Sequence, residues 1–261
     1  MLPGAEPIVR SRDDWSFEAL RTEFADALRR DKSTRIVFPM KTAPDRVVAV
    51  KALVFREFKV RLRSLYGRCR TRKEWENHLA ALRGGLPTVG ALALGELRTH
   101  GLVREAVILT EWRPDAVNLS EHRRRHRAAG DAPMLRIAGD LGRITAAAQR
   151  AGIYHNEIRP DNLLIVPTEH GPQVLLIDWK HARIRRRTTA RDVQNLLRTA
   201  ALFARDIDFA PPVEAEKRAF LDAYLEEQAD RPGATQPADR LKRECPDMAR
   251  ILPDPAGRNR T

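Results

Sequence analysis

Apolar residues recur at near-helical spacing between residues 13 and 32, where Trp15, Leu20, Phe24, Ala27 and Leu28 predict one amphipathic helix. Asp13, Asp14 or Ser16 can cap it, and Glu18 suits the positive end of the helix. The pattern then changes. Residues 35–40 (RIVFPM) and 46–54 (RVVAVKALV) are short and rich in β-branched side chains. The KTAPD segment between them is turn chemistry, so a hairpin is expected. Next, Phe58, Val60 and Leu62 alternate with Lys59 and Arg61, which predicts an extended segment running into a basic loop. Helical spacing returns over 71–84 through Trp75, Leu79 and Leu82. LPTVGALALGEL (86–97) and LVREAVILTEW (102–112) read as two further strands.

Around residues 111–122 the apolar run ends in a proline-containing connector, the expected hinge between lobes. Residues 133–152 predict a buried helix that stops at Gly152, a residue suited to a helix C-cap. Two short apolar strands, NLLIV (162–166) and VLLID (174–178), follow with PTEHGPQ between them. Helices are expected at 191–206 and 213–230. Beyond Arg231 prolines multiply and apolar density falls, as in a poorly ordered tail. Strands thus dominate the first part and helices the second, the order of an α+β chain. The expected division is an extension helix plus a small antiparallel-sheet lobe over 1–112, a mainly helical lobe over 113–230, and the tail over 231–261.

Composition narrows the functional classes. The 261 residues can bury a sizeable core, and 43% hydrophobic with 31% charged residues describes a globular chain. The formal net charge of +12 attracts polyanions such as nucleotide phosphates or anionic lipid. No run of about 18 apolar residues is present to span a bilayer. The start, MLPGAEPIVRSRDDW, has no apolar core of signal-peptide length. Cys69 and Cys245 form no C-x-x-C pair, so neither a zinc site nor a disulfide framework is expected, and the predicted location is cytoplasmic.

Candidate chemistry falls in four places along the chain. Lys51 lies in the strand VVAVK, Glu74 on the following helix, HNEIRPDN (155–162) after the long buried helix, and Asp178 at the end of a strand. H-x-E alone also occurs in zinc deaminases, but no P-C-x-x-C follows here. The joint order is the layout of a bilobal protein-kinase-like fold. Phosphoryl transfer needs charge neutralised on a triphosphate and a hydroxyl held in line. In that layout Lys51 meets the α- and β-phosphates of ATP, Glu74 holds Lys51, and Asp178 and Asn162 bind Mg²⁺. Glu157 stands where a carboxylate orients the acceptor hydroxyl and takes its proton.

The segments VVAVKALVFREFKVRLRS, RKEWENHLAALRGGLPTVGALALGE, GIYHNEIRPDNLLI and VLLIDWKHARIRRR resemble the lipopolysaccharide kinase (Kdo/WaaP) family over about residues 35–230. Most specific are KEWEN, the GLPT after it and the arginine-rich run beyond Asp178. The resemblance implies a kinase fold, ATP and Mg²⁺ as cofactors, and a sugar of a membrane glycolipid, lipopolysaccharide core, as acceptor. It also implies that Asp192 anchors the catalytic loop from the following helix. No specific nucleic-acid partner is expected. The basic segments 58–73, 122–127 and 183–187 fit an anionic surface of the inner membrane or a phosphorylated sugar.

Three features depart from the family pattern. Glu157 replaces its aspartate, no glycine lies between Gly4 and Gly67 to cover phosphates, and DWK (178–180) lacks the glycine of protein kinases. The first two motivate a second reading, a pseudokinase binding module. The R-P-x-N chemistry of 159–162 allows a third, an atypical protein kinase.

Overall fold

The computed structural model describes residues 35–43, 46–66, 69–125, 132–185 and 214–229. The expected helices at 13–32 and 191–206, Asp192 and the tail lie outside the described residues. Two compact units emerge, one from residues up to Leu79 with Val89–Pro114, the other from Ala80–Thr88 with residues from Asp115 onward.

The first unit is a four-stranded antiparallel sheet in the order β1-β2-β4-β3, with β1 Arg35–Ala43, β2 Arg46–Val54, β3 Ala91–Thr99 and β4 Leu102–Glu111. Its hairpins follow local chemistry. His100 and Gly101 join β3 to β4 with φ of 51° and 77°, the positive pair that a tight two-residue turn requires. One face buries Met40, Val48, Val50, Val107 and Leu109. On β4 the alternation disappears, because Ala106 and Ile108 are buried as well. Both faces of that inner strand are covered.

Residues 58–62 are not extended. They form a short helix, α1 Phe58–Leu62, which continues into a 3-10 turn over Arg63–Tyr66. The Glu57 carbonyl accepts from the N–H groups of both Val60 and Arg61 at 3.1 Å, which starts the turn. Ser64 Oγ then donates to Arg61 O (2.6 Å) and accepts from Val103 N (3.0 Å), tying the segment to β4. The period-two pattern misled because Phe58 and Leu62 are also one helical turn apart, and both are exposed. No buried face was being reported.

α2, Arg70–Arg83, forms where helical spacing predicted it. Its buried positions differ from the expected ones. Trp75 and Leu79 are half-buried, whereas Thr71, Glu74, Asn77 and His78 are buried. A helix that buries polar groups must supply them with partners, and those partners belong to the candidate site.

The second unit packs α4 Ala132–Arg150 against α5 Glu214–Ala229. Its core holds Ile137, Leu141, Leu163, Ile165, Trp179 and Phe220 among others. A small sheet runs β5-β7-β8, with β5 Val117–Asn118, β7 Leu163–Val166 and β8 Gln173–Leu176. β6 Ile153–Tyr154 pairs with β9 Arg183–Ile184. α3, Leu119–Arg125, starts where Asn118 Oδ1 accepts from Glu121 N at 2.7 Å, an N-cap. Gly152 has φ of 70°, and a Cβ there would overlap the Arg185 carbonyl, so only glycine lets α4 turn into β6 beside β9.

Candidate active site

Lys51 lies on β2, directly across from Val37 on β1 and Ile108 on β4. Alternation puts it on the face opposite Val48 and Val50. There its ammonium forms a salt bridge with Glu74 of α2, with side-chain exposures of 12% and 8%. Breaking so buried a pair from one side would strand a charge, at a cost of about 3–5 kcal/mol. One turn further along α2, His78 Nε2 donates to Val89 O at 2.8 Å. A carbonyl only accepts, so Nε2 carries the proton. Burial pushes the His78 pKa down to about 4, and the Lys51 charge adds to that shift. Near neutral pH this helix face therefore presents a carboxylate to Lys51 and a neutral imidazole beside it.

The second unit holds the remaining candidates in one loop and one turn. His155 is buried and packs edge-on against Trp179, with ring centroids 4.7 Å apart. Its Nε2 donates to Ile177 O at 2.9 Å. Burial holds its pKa below the ordinary histidine range, against the raising effect of that backbone bond and of Asp178 and Glu157. This histidine is a neutral strut. Asn162 Nδ2 donates to the Glu157 carbonyl (2.8 Å), and Ile177 N donates to Asn162 O (3.0 Å). The loop and the end of β8 are thereby joined at main-chain level.

Asp178 follows β8 with φ 64° and ψ 67°, a left-handed conformation, and the 3-10 turn Trp179–His181 comes next. That turn is clamped. Trp179 Nε1 donates to Thr88 Oγ1 (3.1 Å), Thr88 Oγ1 donates to Leu176 O (2.6 Å), and Leu176 N donates to Pro87 O (2.9 Å). The GLPT segment thus has a physical role, since its Pro87 and Thr88 hold the strand and turn that carry Asp178.

Charges meet beside it. Lys180 Nζ lies 2.9 Å from Asp178 Oδ2 and 3.3 Å from Glu157 Oε2, and His181 Nε2 lies 3.2 Å from Glu157 Oε1. The structure therefore brings Lys51 to Glu74, and Glu157 together with Asn162 and Asp178. Sequence reasoning missed Thr88, Lys180 and His181. The one available signal was the lysine in DWK, two residues beyond the aspartate, which drew notice only for its missing glycine.

Asn162 and Asp178 suit Mg²⁺. Asn162 spends an amide N–H on the Glu157 carbonyl, its Oδ1 is an oxygen acceptor, and Asp178 adds a carboxylate. Both are hard oxygen donors. Among the described residues there is no group of three or more His, Cys, Asp or Glu placed to hold a metal ion. A Mg²⁺ ion that arrives with phosphate and keeps some of its waters needs no such cage.

A strand lysine tied to a helix glutamate, and a loop asparagine with a post-strand aspartate, are the groups that kinases use on a nucleoside triphosphate. The class is that of a phosphotransferase. The model of the lipopolysaccharide kinase (Kdo/WaaP) family matches residues 17–224, most of the chain, and the chain belongs to that family. It is accordingly a kinase of lipopolysaccharide, with a glycolipid sugar as acceptor and ATP as phosphoryl donor. Among solved structures its α+β fold is similar to that of WaaP in complex with acyl carrier protein. The identity is 20% and the TM-score 0.57, over 91% of this chain and 92% of that one. The search of curated proteins gives no match. No helix among the described residues is long and apolar enough to cross a membrane.

Proposed function

We propose that Lys51, Glu74, Glu157, Asn162 and Asp178 carry the phosphoryl transfer from ATP to a sugar hydroxyl of lipopolysaccharide core. Support comes first from Glu157, Asn162 and Asp178, drawn together by the loop and turn contacts around Trp179. Lys51 neutralises charge on the α- and β-phosphates, and Glu74 holds its ammonium in place. Asp178 and Asn162 Oδ1 hold Mg²⁺, which when bound offsets charge on the phosphates. Glu157 orients the hydroxyl and accepts its proton as the oxygen attacks phosphorus. With γ-labelled ATP and purified lipopolysaccharide core, label is expected in the glycolipid. Label in protein, with none in the glycolipid, would overturn the assignment of the acceptor.

An acceptor anchored in lipid has to be met at a surface. Phe58, Leu62 and Leu65 fall at helical spacing and stay exposed, Phe58 by 63% and Leu65 by 50%, with Arg56, Glu57 and Lys59 exposed beside them. We infer that this segment seats the enzyme on anionic lipid. Each buried apolar side chain contributes about 1.5–3 kcal/mol and each basic one about 1 kcal/mol. Co-sedimentation with vesicles containing phosphatidylglycerol should weaken about tenfold or more in a Phe58→Ser/Leu65→Ser variant. Unchanged binding would remove this segment from the membrane contact.

A further inference from the structure

We propose that Lys180 and His181 are positioning residues for Glu157, and that the longer side chain of Glu157 and Lys180 form one matched unit. The inference rests on the reading of Glu157 as the proton acceptor. It concerns what holds the Glu157 carboxylate at the length of a glutamate side chain.

Each oxygen of Glu157 faces its own basic group. Oε2 faces Lys180 Nζ at 3.3 Å and Oε1 faces His181 Nε2 at 3.2 Å. The same ammonium contacts Asp178 Oδ2 at 2.9 Å, so one lysine lies between the two carboxylates. Lys180 and Asp178 keep 16% and 7% of their side-chain surface exposed, so solvent screens that contact weakly, whereas Glu157 at 30% and His181 at 45% are more open. An ammonium carries three donors, enough to serve both carboxylates at once.

The backbone on each side of this bridge is held independently of it. Trp179 is buried and bonded to Thr88, which fixes the start of the turn. His181 O accepts from Asn156 Nδ2 at 3.1 Å, which fixes its end against the loop. Asn162 holds the Glu157 carbonyl from the other side. With loop and turn set in this way, the gap between residue 157 and Lys180 calls for a particular side-chain length. Aspartate would draw the carboxylate back by about one C–C bond, roughly 1.5 Å. Contacts of 3.2 and 3.3 Å would then open beyond ion-pair range. Glu157 is therefore the correct length for this turn, and its carboxylate and the Lys180 ammonium act as one unit.

The experiment compares steady-state kinetics of wild type, Glu157→Gln, Glu157→Asp, Lys180→Met, Lys180→Arg and the Glu157→Asp/Lys180→Met double variant, with melting curves for each. Glu157→Asp and Lys180→Met should each lower kcat about a hundredfold, the scale of a 1 Å misplacement, with KM for ATP within about twofold. The double variant should be no worse than the poorer single one, because both break the same contact. Lys180→Arg should recover most of the loss. Wild-type turnover in Glu157→Asp, losses that multiply in the double variant, or a loss confined to KM for ATP would each overturn the proposal. An unfolded Lys180→Met would leave Glu157→Asp and Lys180→Arg to decide. The underlying reading fails separately, if Glu157→Gln turns over like wild type.

Discussion

Asp178→Asn should lower kcat on the order of a thousandfold and remove the Mg²⁺-dependent part of ATP binding. The substitution is chosen for its backbone. Asp178 sits at φ 64° and ψ 67°, where Asn and Asp are tolerated and other side chains add about 1–2 kcal/mol of strain. Asparagine therefore keeps the turn and removes only the charge. That charge pairs with Lys180, whose ammonium lies 2.9 Å from Oδ2, and it is the charge proposed above to hold Mg²⁺. An alanine variant would mix electrostatics with strain. Thermal shift reads the binding directly, since ATP at a hundredfold over its Kd contributes about 2.7 kcal/mol to stability. The wild type should show a shift that grows with Mg²⁺, and the variant should lose that growth while melting alone near the wild-type temperature. Turnover within a few-fold of wild type would remove Asp178 from the mechanism.

The second large effect concerns stability and has an internal control. Gly139 and Gly142 both lie on α4 and face α5. A Cβ at Gly142 would overlap the carbonyl oxygen of Phe220 and come within 3.1 Å of Tyr224 N, so backbone rather than a flexible side chain blocks it. At Gly139 the nearest atoms would be 3.7–3.9 Å away, ordinary contact. Gly142→Ala should destabilise by about 3 kcal/mol, since relief means separating two helices packed at native density. That is roughly 6–12 °C in Tm for a chain of this size. Gly139→Ala should be neutral or stabilising by up to about 1 kcal/mol, because alanine is the better helix former. Equal effects of the two substitutions would show that the helices do not approach this closely at Gly142.

The type and order of most described elements were legible, because burial imprints a period on each element. Val48 and Val50 mark the buried face of β2, and the buried residues of α4 recur at helical spacing. Phe58–Leu62 is an exception, because its five residues satisfy both periods and neither reports burial. On α2 the period marks the helix, but its apolar side is not the most buried one. Hydrophobicity identifies a core-facing side only when that side is apolar, and here Glu74 and His78 are buried by polar partners contributed by other elements.

By itself the sequence determined the type of most described elements and the family likeness, and it offered the lysine, glutamate, asparagine and aspartate proposed here for phosphoryl transfer. Those are matters of residue identity and local period. Only the tertiary structure decided that Asp178 adopts a left-handed backbone, that Thr88 and Trp179 clamp its turn, and that Lys180 and His181 meet the two oxygens of Glu157. Each of these depends on where two distant stretches of chain cross. A hydrogen bond or an ion pair has a range of a few ångströms and leaves no periodic trace in the residues that make it.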